Sequence, residues 1–409
     1  MLRSGAHVFI DVTRRRNPAL IDAAVDLHQS GRIPSNCYVI DLDTVSANAA
    51  LVARAAASHG LTAYQMTKQF GRNPIVASAV AAAGIDKVVA VDFEEARLLA
   101  HHGQRIGHLG HLVQIPRDEI GLALEMEPDF ITVFGYDQAA HLSHVAHERG
   151  IVQDVTLRVV GPHDTFYPAQ RGGVPIDEVI EVASRMHDLP GVRLRGVTSF
   201  PVVLWDESVG AFAPTHNLAT LGAVSQSLRA VGIDVDVLNA PSACCTATFA
   251  MKAAAGATHV EPGSCLTGQT PLHALSDEPE LPAMVYVSEV SHTTADAAYA
   301  IAGGLYPRCK SRTALVYREA GAAPRVCQVE LDPAEAIDYY GTLRTDNPRS
   351  VRVGSTVVYA FRAQAFVSRC FVAVVSNITG TPAVEGVFTN SGFRLGPDLL
   401  PAANESVTL

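Results

Sequence analysis

The stretch Ala63–Pro74 reads AYQMTKQFGRNP and shows how the first half of the chain is built. It begins with a strand-like run, ends where an alanine-rich helical stretch starts, and holds Lys68 between the two. A lysine directly after an apolar strand is costly to bury unless its charge is paired or neutralised. An imine neutralises that charge, and lysine is the usual Schiff-base residue. A lysine that reaches water at the rim of the sheet is the alternative that this stretch leaves open.

The same alternation of strand-like run and helical stretch continues to about Gly268. Eight runs joined by helical crossovers match the spacing of a (β/α)8 barrel, whose strands are apolar because both faces are covered. A doubly wound open sheet is the competing arrangement, since periodicity does not exclude it. The runs are Ala63–Met66, Lys87–Val91, Ile106–Leu109, Phe130–Phe134, Val155–Val159, Leu194–Thr198, Val235–Leu238 and Thr258–Val260.

After about Ala283 the pattern changes to strand-like segments separated by Gly, Pro and Asn, which predicts an antiparallel β-domain. We therefore predict an α/β fold in which residues 36–275 form an N-terminal (β/α)8 barrel. Residues 1–35 and 276–409 are predicted to form the C-terminal antiparallel β-domain. The early run Cys37–Ile40 is expected to belong with that domain. The later segments are Met284–Val290, Thr313–Tyr317, Val326–Leu331, Thr356–Phe361, Phe371–Val375 and Val384–Phe388.

Composition and charge limit the classes of function. The chain has 409 residues, 48% of them hydrophobic, and a formal net charge of −10, which repels phosphate backbones, so we expect no nucleic-acid partner. No stretch approaches the ~20 apolar residues that span a bilayer, and the N-terminus lacks a secretory pattern. We expect no membrane partner and a cytoplasmic location. Seven cysteines without CxxC spacing indicate reduced thiols and no metal site.

Polar residues follow the last two strand-like runs, at the end where barrel enzymes place their sites. Ser242 is predicted to cap a helix whose N–H groups suit a phosphate, and Gly263 with Ser264 lets backbone approach the same anion. The Glu261 carboxylate can pair with a cationic ring nitrogen. Plain helix capping and a rim salt bridge are the alternatives. Together with Lys68, these residues meet the needs of pyridoxal 5'-phosphate (PLP).

Four strings carry a resemblance to a known family: MTKQFGRNP at Met66–Pro74, GHLVQIP at Gly110–Pro116, LNAPSA at Leu238–Ala243 and EPG at Glu261–Gly263. The chain resembles fold-type III PLP enzymes, the alanine racemase and ornithine decarboxylase superfamily, and within it the YhfX group. The resemblance implies an N-terminal barrel, a C-terminal β-domain, a small-molecule amino-acid substrate and a homodimer with its sites at the subunit interface.

Residue by residue, the resemblance implies that Lys68 is the Schiff-base lysine. It implies that Ser242, Gly263 and Ser264 bind the phosphate and that Glu261 faces the pyridine nitrogen, as in the decarboxylase branch.

Further positions match less closely. Arg158 and His111 match polar positions near the cofactor, with satisfied polar residues below the site as the alternative. Ser199 stands where many relatives carry a histidine packed on the cofactor ring. Serine cannot stack, so either Phe200 or another ring compensates, or that face is open. Tyr306 resembles the tyrosine that serves racemases as a second base from the partner subunit; a core or surface tyrosine is the alternative.

These matches predict a PLP-dependent amino-acid racemase, an isomerase. Lys68 and Tyr306 would act as opposite-face bases and abstract the Cα proton from an external aldimine. An unperturbed tyrosine has a pKa of about 10, so a neighbouring arginine or the cofactor would have to lower that pKa toward neutrality. A decarboxylase is the alternative, because Glu261 supports either reaction, although the cysteine–aspartate motif of that branch is not found near Val387–Asn390. A PLP carrier without turnover is the third hypothesis; such relatives lack a second domain.

Overall fold

The computed structural model describes residues 9–306, 309–333 and 335–402. They divide into two compact units. Unit one takes in the described residues within Met1–Ala49, Lys68–Ala79 and Ser264–Leu409, and unit two those within Ala50–Thr67 and Val80–Gly263. The domain bounds at residues 36 and 275 stay a prediction.

The helices of the described chain are α1 (Phe9–Arg16), α2 (Pro18–Gln29), α3 (Leu42–Ser58), α4 (Pro74–Ala82), α5 (Phe93–His101), α6 (Ile120–Glu125), α7 (Tyr136–Glu148), α8 (Val179–His187), α9 (His216–Ala230) and α10 (Thr246–Ala254). Among these described helices, none combines the length and the apolar character needed to cross a bilayer.

The strands are β1 (Cys37–Asp41), β2 (Thr62–Ala63), β3 (Gln65–Met66), β4 (Lys87–Val89), β5 (Arg105–Leu109), β6 (Phe130–Val133), β7 (Gln153–Val160), β8 (Val174–Pro175), β9 (Val192–Thr198), β10 (Val203–Asp206), β11 (Ala211–Pro214), β12 (Val237–Asn239), β13 (His259–Val260), β14 (Met284–Thr293), β15 (Ala298–Ile301), β16 (Thr313–Tyr317), β17 (Arg325–Glu330), β18 (Tyr340–Arg344), β19 (Thr356–Tyr359), β20 (Phe371–Ser376) and β21 (Ala383–Thr389).

The sheet of unit two is parallel and closes on itself. Its order is β2-β13-β12-β9-β7-β6-β5-β4-β3, and only Tyr64 separates β2 from β3 along the chain. One stretch of backbone therefore pairs with β13 on one side and with β4 on the other. Hydrogen bonds from the Tyr64 N–H to the Val260 carbonyl (3.0 Å) and from the Met66 N–H to the Pro262 carbonyl (2.8 Å) extend this closure. The closure confirms the barrel over the open sheet.

Each of the predicted barrel strands overlaps an observed strand, with helices between successive strands. The parallel strands are covered on both faces, which is why they are continuous apolar runs. Inside the barrel, side chains from five of these strands or their ends pack together; they are Tyr64, Met66, Val89, Val91, Phe130 and Val237.

Unit one contains a second, mainly antiparallel sheet. The strands β14, β15, β18, β17, β16 and β19 pair in that order, and β19 returns to β14, which closes an antiparallel barrel. Beyond β14, the sheet continues through β1 and β20 to β21. Strand β1 runs antiparallel to β14 and parallel to β20. The expectation that the Cys37–Ile40 run joins this domain is confirmed.

Five short strands were not predicted: β8, the β10–β11 hairpin, β15 and β18. The segment of β15 reads AYAI and that of β18 reads YGTLR, so neither has a run of β-branched residues. These two strands pair with each other and β15 also pairs with β14, so closure of the barrel rather than local propensity holds them.

Helix α2 packs an apolar face onto the sheet of unit one. Its fully buried Leu20 and Leu27 share a core cluster with Val285 of β14 and Val358 of β19.

We expect Leu27→Ala to lower the free energy of unfolding by about 2–5 kcal/mol, because it removes a buried side chain and leaves a cavity. Denaturant unfolding measures the change. The matched control is Leu400→Ala at an exposed leucine, which should stay within about 0.5 kcal/mol of the parent. Equal stabilities of the two variants would contradict the packing described for α2.

Candidate functional site

Glu261 directly follows strand β13, and its side chain is only 2% exposed. Two groups from other barrel strands donate hydrogen bonds to the same carboxylate oxygen, Oε1. They are Nδ1 of His108 on β5, at 2.7 Å, and Nδ2 of Asn239, the last residue of β12, at 2.8 Å. The carboxylate is therefore fixed from two sides of the barrel.

The imidazole of His108 extends this network across the barrel. Its Nε2 lies 2.6 Å from the hydroxyl of Thr132 on β6, and that hydroxyl lies 2.7 Å from the hydroxyl of Thr156 on β7. All of these side chains are buried. A chain of hydrogen bonds thus links strands β13, β5, β6 and β7, and both ring nitrogens of His108 have partners.

Glu261 stays ionised although it is buried. Burial by itself raises the pKa of this carboxyl group, but electrostatic interaction with His111 and His108 and the hydrogen bonds from His108 and Asn239 outweigh burial and bring the pKa to about 2. Over the described residues, no hydrogen bond reaches the second oxygen, Oε2. Nε2 of His111 lies 3.8 Å from this oxygen. One oxygen of a fixed anion is thus available to a further donor.

Arg158 is wholly buried and points its guanidinium at backbone. Its nitrogens donate to the carbonyls of His111 (3.2 Å) and Gln170 (2.8 Å), and its charge lies 4.7 Å from the centroid of the Phe134 ring. Burial lowers the pKa of Arg158 to about 10. These contacts hold the loops after β5 and β7 in place.

Ser199 is buried, and its hydroxyl accepts a hydrogen bond from Nδ2 of Asn217 at 3.2 Å. The aromatic ring next to it in the chain is Phe200, which meets His111 edge-on with centroids 5.3 Å apart. Phe200 also packs on Tyr167, with centroids 5.6 Å apart. An aromatic cluster of Phe200 and Tyr167, with His111 against its edge, therefore lies next to Ser199 in the chain.

The prediction that Ser242 caps the following helix is wrong. Helix α10 starts at Thr246, and Cys245 is its N-cap, with the hydroxyl of Thr248 accepting from the Cys245 N–H at 3.2 Å. Ser242 has a left-handed φ of +73°, not the extended conformation of a cap. Its hydroxyl is held instead by the backbone of Val203, donating to the carbonyl at 2.9 Å and accepting from the N–H at 3.1 Å.

Lys68 and Ser264 belong to unit one and are described within it. Lys68 is half-buried and opens a 3-10 turn, Lys68–Phe70, directly after Thr67. Gly71 closes that turn with φ +69°, and a Cβ there would lie 3.1 Å from the Asn390 carbonyl, so glycine suits both the conformation and the space. The carbonyl of Ser264 accepts from the Gln269 N–H at 2.8 Å.

Tyr306, also in unit one, donates its hydroxyl proton to the carbonyl of Arg362 at 3.1 Å. Burial raises the pKa of Tyr306, and the charge of Arg362 lowers that pKa by less than burial raises it. The single chain therefore does not supply the lowered pKa that a base near neutral pH needs, because burial outweighs the charge of Arg362.

His108, Asn239 and Thr132 belong to the network but were missed in the sequence. His108 lies inside an apolar strand, two residues before the quoted GHLVQIP string, and Asn239 lies inside the quoted LNAPSA string. Both faces of a barrel strand are covered, so a polar side chain within such a strand needs a buried partner. That need was the signal by which these residues could have been found.

His108, His111 and Glu261 bring ligand-type atoms within 4.8 Å of one another, which is a spacing that can hold a metal ion. A cation on these atoms would have to displace the 2.7 Å hydrogen bond between His108 and Glu261. The hydrogen-bonded network therefore favours the carboxylate as an acceptor for an organic donor over its use as a metal ligand.

Two family models match the chain in sequence order. The alanine racemase N-terminal domain matches residues 40–271, and the YhfX-like C-terminal domain matches residues 285–384. A curated relative, the uncharacterized protein YhfX of Escherichia coli (strain K12), is 39% identical over 390 residues, which covers 95% of this chain and all of that protein.

Solved structures share the fold. D-threonine aldolase from Filomicrobium marinum aligns with a TM-score of 0.67 at 18% identity, over 88% of this chain and 95% of that one. D-threo-3-hydroxyaspartate dehydratase from Delftia sp. HT23 aligns with a TM-score of 0.64 at 18% identity, over 86% and 97% of the two chains. Alanine racemase from Clostridium difficile 630, in complex with cycloserine, aligns with a TM-score of 0.61 at 16% identity, over 88% and 99%.

The low pKa of Glu261 makes a prediction about acid stability. Its pKa is about 2 in the folded chain against an ordinary 4.5, so ionised Glu261 stabilises the fold above pH 4.5 and loses that effect as the pH falls toward 2. We expect the stability advantage of the parent over Glu261→Gln to shrink by about 2 kcal/mol between about pH 4.5 and pH 3.

Denaturant unfolding of both proteins without cofactor, across that pH range, measures the difference. Glu181→Gln, at an exposed glutamate, is the control and should track the parent. A pH-independent gap between the parent and Glu261→Gln would mean that the carboxyl group is not held ionised by its neighbours.

Proposed function

Because the chain belongs to the alanine racemase-like family and to the YhfX group within it, we propose that it is a PLP-dependent enzyme that acts on an amino acid. The reaction that we propose is racemisation, and decarboxylation is the second candidate. The solved structures of this fold carry the names of a racemase, an aldolase and a dehydratase, so the reaction has to be argued from this chain's own residues.

The observation that carries the proposal is Glu261: a buried, ionised carboxylate with Oε1 saturated by His108 and Asn239 and with Oε2 still open to a donor. A protonated pyridine nitrogen is such a donor, and a charge-assisted hydrogen bond to it is strong in a buried site. When bound, PLP supplies an electron sink for negative charge at the substrate Cα. Glu261 would keep that sink protonated.

The chain offers few lysines for covalent attachment. There are four: Lys68, Lys87, Lys252 and Lys310. Lys87 places its ammonium 2.6 Å from both oxygens of Asp129, Lys252 is wholly buried against backbone carbonyls, and Lys310 is exposed. Lys68 is half-buried and directly follows the first barrel strand. This leaves Lys68 as the residue we assign to hold the cofactor and to move the Cα proton on one face.

We assign the remaining roles as follows. Tyr306 would move the proton on the opposite face in the site of a partner subunit, so the active form would be a homodimer. Ser242, Gly263 and Ser264 would hold the phosphate, and because the Ser242 hydroxyl is engaged by Val203, its backbone N–H is the group we assign to the anion. The residues His111, Arg158 and Ser199 would line the cofactor, with Phe200 beside His111 providing the aromatic surface that Ser199 lacks.

The cellular location that we propose is the cytoplasm. All seven cysteines are free and buried thiols, a state that a reducing compartment maintains.

Decarboxylation stays the second candidate because an ionised Glu261 supports any reaction that leaves negative charge at Cα. What separates the two reactions is the need for a second acid–base group. A racemase has to deliver a proton to either face, whereas a decarboxylase needs one delivery only.

The attachment site can be tested by mass spectrometry. We expect purified protein loaded with PLP and treated with borohydride to carry one pyridoxyl group on Lys68, and Lys68→Ala to carry none. Lys87→Ala is the control, since its ammonium is bound to Asp129, and it should label as the parent does. Labelling at any other lysine, or no cofactor uptake by the parent, would overturn the proposal.

The reaction type can be tested at Tyr306. Tyr306→Phe keeps the ring and removes the hydroxyl, so we expect racemisation to fall roughly 10²–10⁴-fold while Lys68 still exchanges the Cα proton of one enantiomer. Deuterium incorporation from each enantiomer in deuterated water, with CO2 release followed separately, provides the measurement. Tyr339→Phe, at a tyrosine that is 62% exposed, is the matched control. Unchanged racemisation would remove Tyr306 from the site, and stoichiometric CO2 release would replace the racemase with the decarboxylase.

A further inference from the structure

Lys252 lies on helix α10 and is wholly buried. Its Nζ donates hydrogen bonds to the carbonyls of Ala240 (2.9 Å) and Ser242 and to Sγ of Cys244 (2.9 Å). All three acceptors lie in the segment 240–244 between β12 and α10, which we call the 240–244 loop. The three N–H donors of an ammonium are thus matched by three acceptors within one short loop.

A buried ammonium is costly unless it is paired and hydrogen-bonded. Over residues 9–306, 309–333 and 335–402, no carboxylate lies within ion-pair distance of Lys252. The charge is balanced instead by carbonyl dipoles and by the sulfur of Cys244, so its contacts are directed entirely at the 240–244 loop. A side chain with this arrangement holds the loop in one conformation.

The conformation that it holds is an uncommon one. Ser242 and Ala243 are consecutive non-glycine residues with φ of +73° and +44°, and such residues each store about 1–3 kcal/mol unless their surroundings fix them. Lys252 draws the carbonyls of Ala240 and Ser242 toward itself. Within the described chain, the N–H groups of Ser242, Ala243 and Cys244 donate no hydrogen bond. Successive unbonded N–H groups in a turn of this kind make a concave site for an anion.

The same cluster reaches the carboxylate of the proposed cofactor site. Sγ of Cys244 accepts a hydrogen bond from the backbone N–H of Glu261 at 3.2 Å. The buried ammonium of Lys252 therefore holds the 240–244 loop, which presents the unbonded N–H groups. Through Cys244 it also contacts the backbone of Glu261, the residue that would face the ring nitrogen. Because a buried charge is weakly screened, the ammonium also adds positive potential behind the loop.

We propose that Lys252 is a positioning residue for the cofactor's phosphate group. It fixes the 240–244 loop so that the backbone N–H groups of Ser242, Ala243 and Cys244 point at a phosphate, and Lys252 does not itself touch the anion. This inference rests on the proposed function, since it takes the 240–244 loop to be the phosphate-binding loop.

The test compares two ligands that differ only in the phosphate: PLP and pyridoxal. Lys252→Met keeps most of the apolar stem and removes the charge. We expect it to lower the affinity for PLP about 10–100-fold relative to pyridoxal, which is the range for losing hydrogen bonds to a charged group. Borohydride trapping on Lys68 as a function of ligand concentration gives both affinities. An unchanged ratio would overturn the inference.

A second readout needs no cofactor. Inorganic phosphate should raise the melting temperature of the parent protein and should raise that of Lys252→Met much less. Lys87→Met is the control, because Lys87 is a partly buried lysine that pairs with Asp129 outside the 240–244 loop, and it should keep the parent's ratio and its response to phosphate. An equal phosphate response in Lys252→Met and the parent would overturn the inference even if the ligand ratio differs.

Three further variants keep the test decisive if Lys252→Met does not fold. Lys252→Arg keeps the charge and Cys244→Ser keeps an acceptor, so both should retain the preference for PLP, whereas Cys244→Ala should lose part of it. Equal preferences in all three would contradict the positioning role. A parent protein that takes up neither ligand on Lys68 would instead overturn the proposed function, and the phosphate response would still decide whether the loop binds an anion.

Discussion

The buried carboxylate of Glu261 is the constraint around which the barrel interior is arranged. An ionised group out of reach of water needs donors, and the barrel provides them from strands that are far apart in sequence: His108 is 153 residues from Glu261 along the chain. The imidazole in turn needs an acceptor on its other side, which Thr132 provides, and Thr156 completes the chain. A single buried charge thereby dictates the identity of polar residues on four strands.

The sequence predicted the strands that are marked by their own residue pattern and missed those that form only because they pair with distant segments. The barrel strands were found because parallel strands are covered on both faces and must be apolar throughout. Strands β15 and β18 were missed because neither contains a run of β-branched residues, and the residues that pair between them lie 39 to 45 positions apart in the chain. The capping role given to Ser242 failed for a similar reason, since the partner that occupies its hydroxyl, Val203, lies 39 residues away.

The same distinction between local pattern and distant contacts applies to the candidate site. Lys68, Ser242 and Glu261 could be nominated because each follows a strand at the end where barrels place their chemistry. His108 and Asn239 could not be distinguished from satisfied core residues, since their significance depends on which carboxylate they meet in space. Tyr306 could be nominated from the sequence, but whether its hydroxyl can act as a base depends on its surroundings in the fold. In the single chain, burial raises the pKa of Tyr306.

The turn that begins with Lys68 has a consequence for how this protein can change over evolutionary time. It follows a barrel strand in sequence, yet it groups with the unit that holds the β-sheet, where Gly71 is pressed close to Asn390 and Val372. If recombination exchanged only the barrel between relatives, this turn would be separated from the backbone that it contacts. The lysine and the second domain are therefore expected to be inherited together, so that new specificities arise by substitution within the pair rather than by shuffling of the two halves.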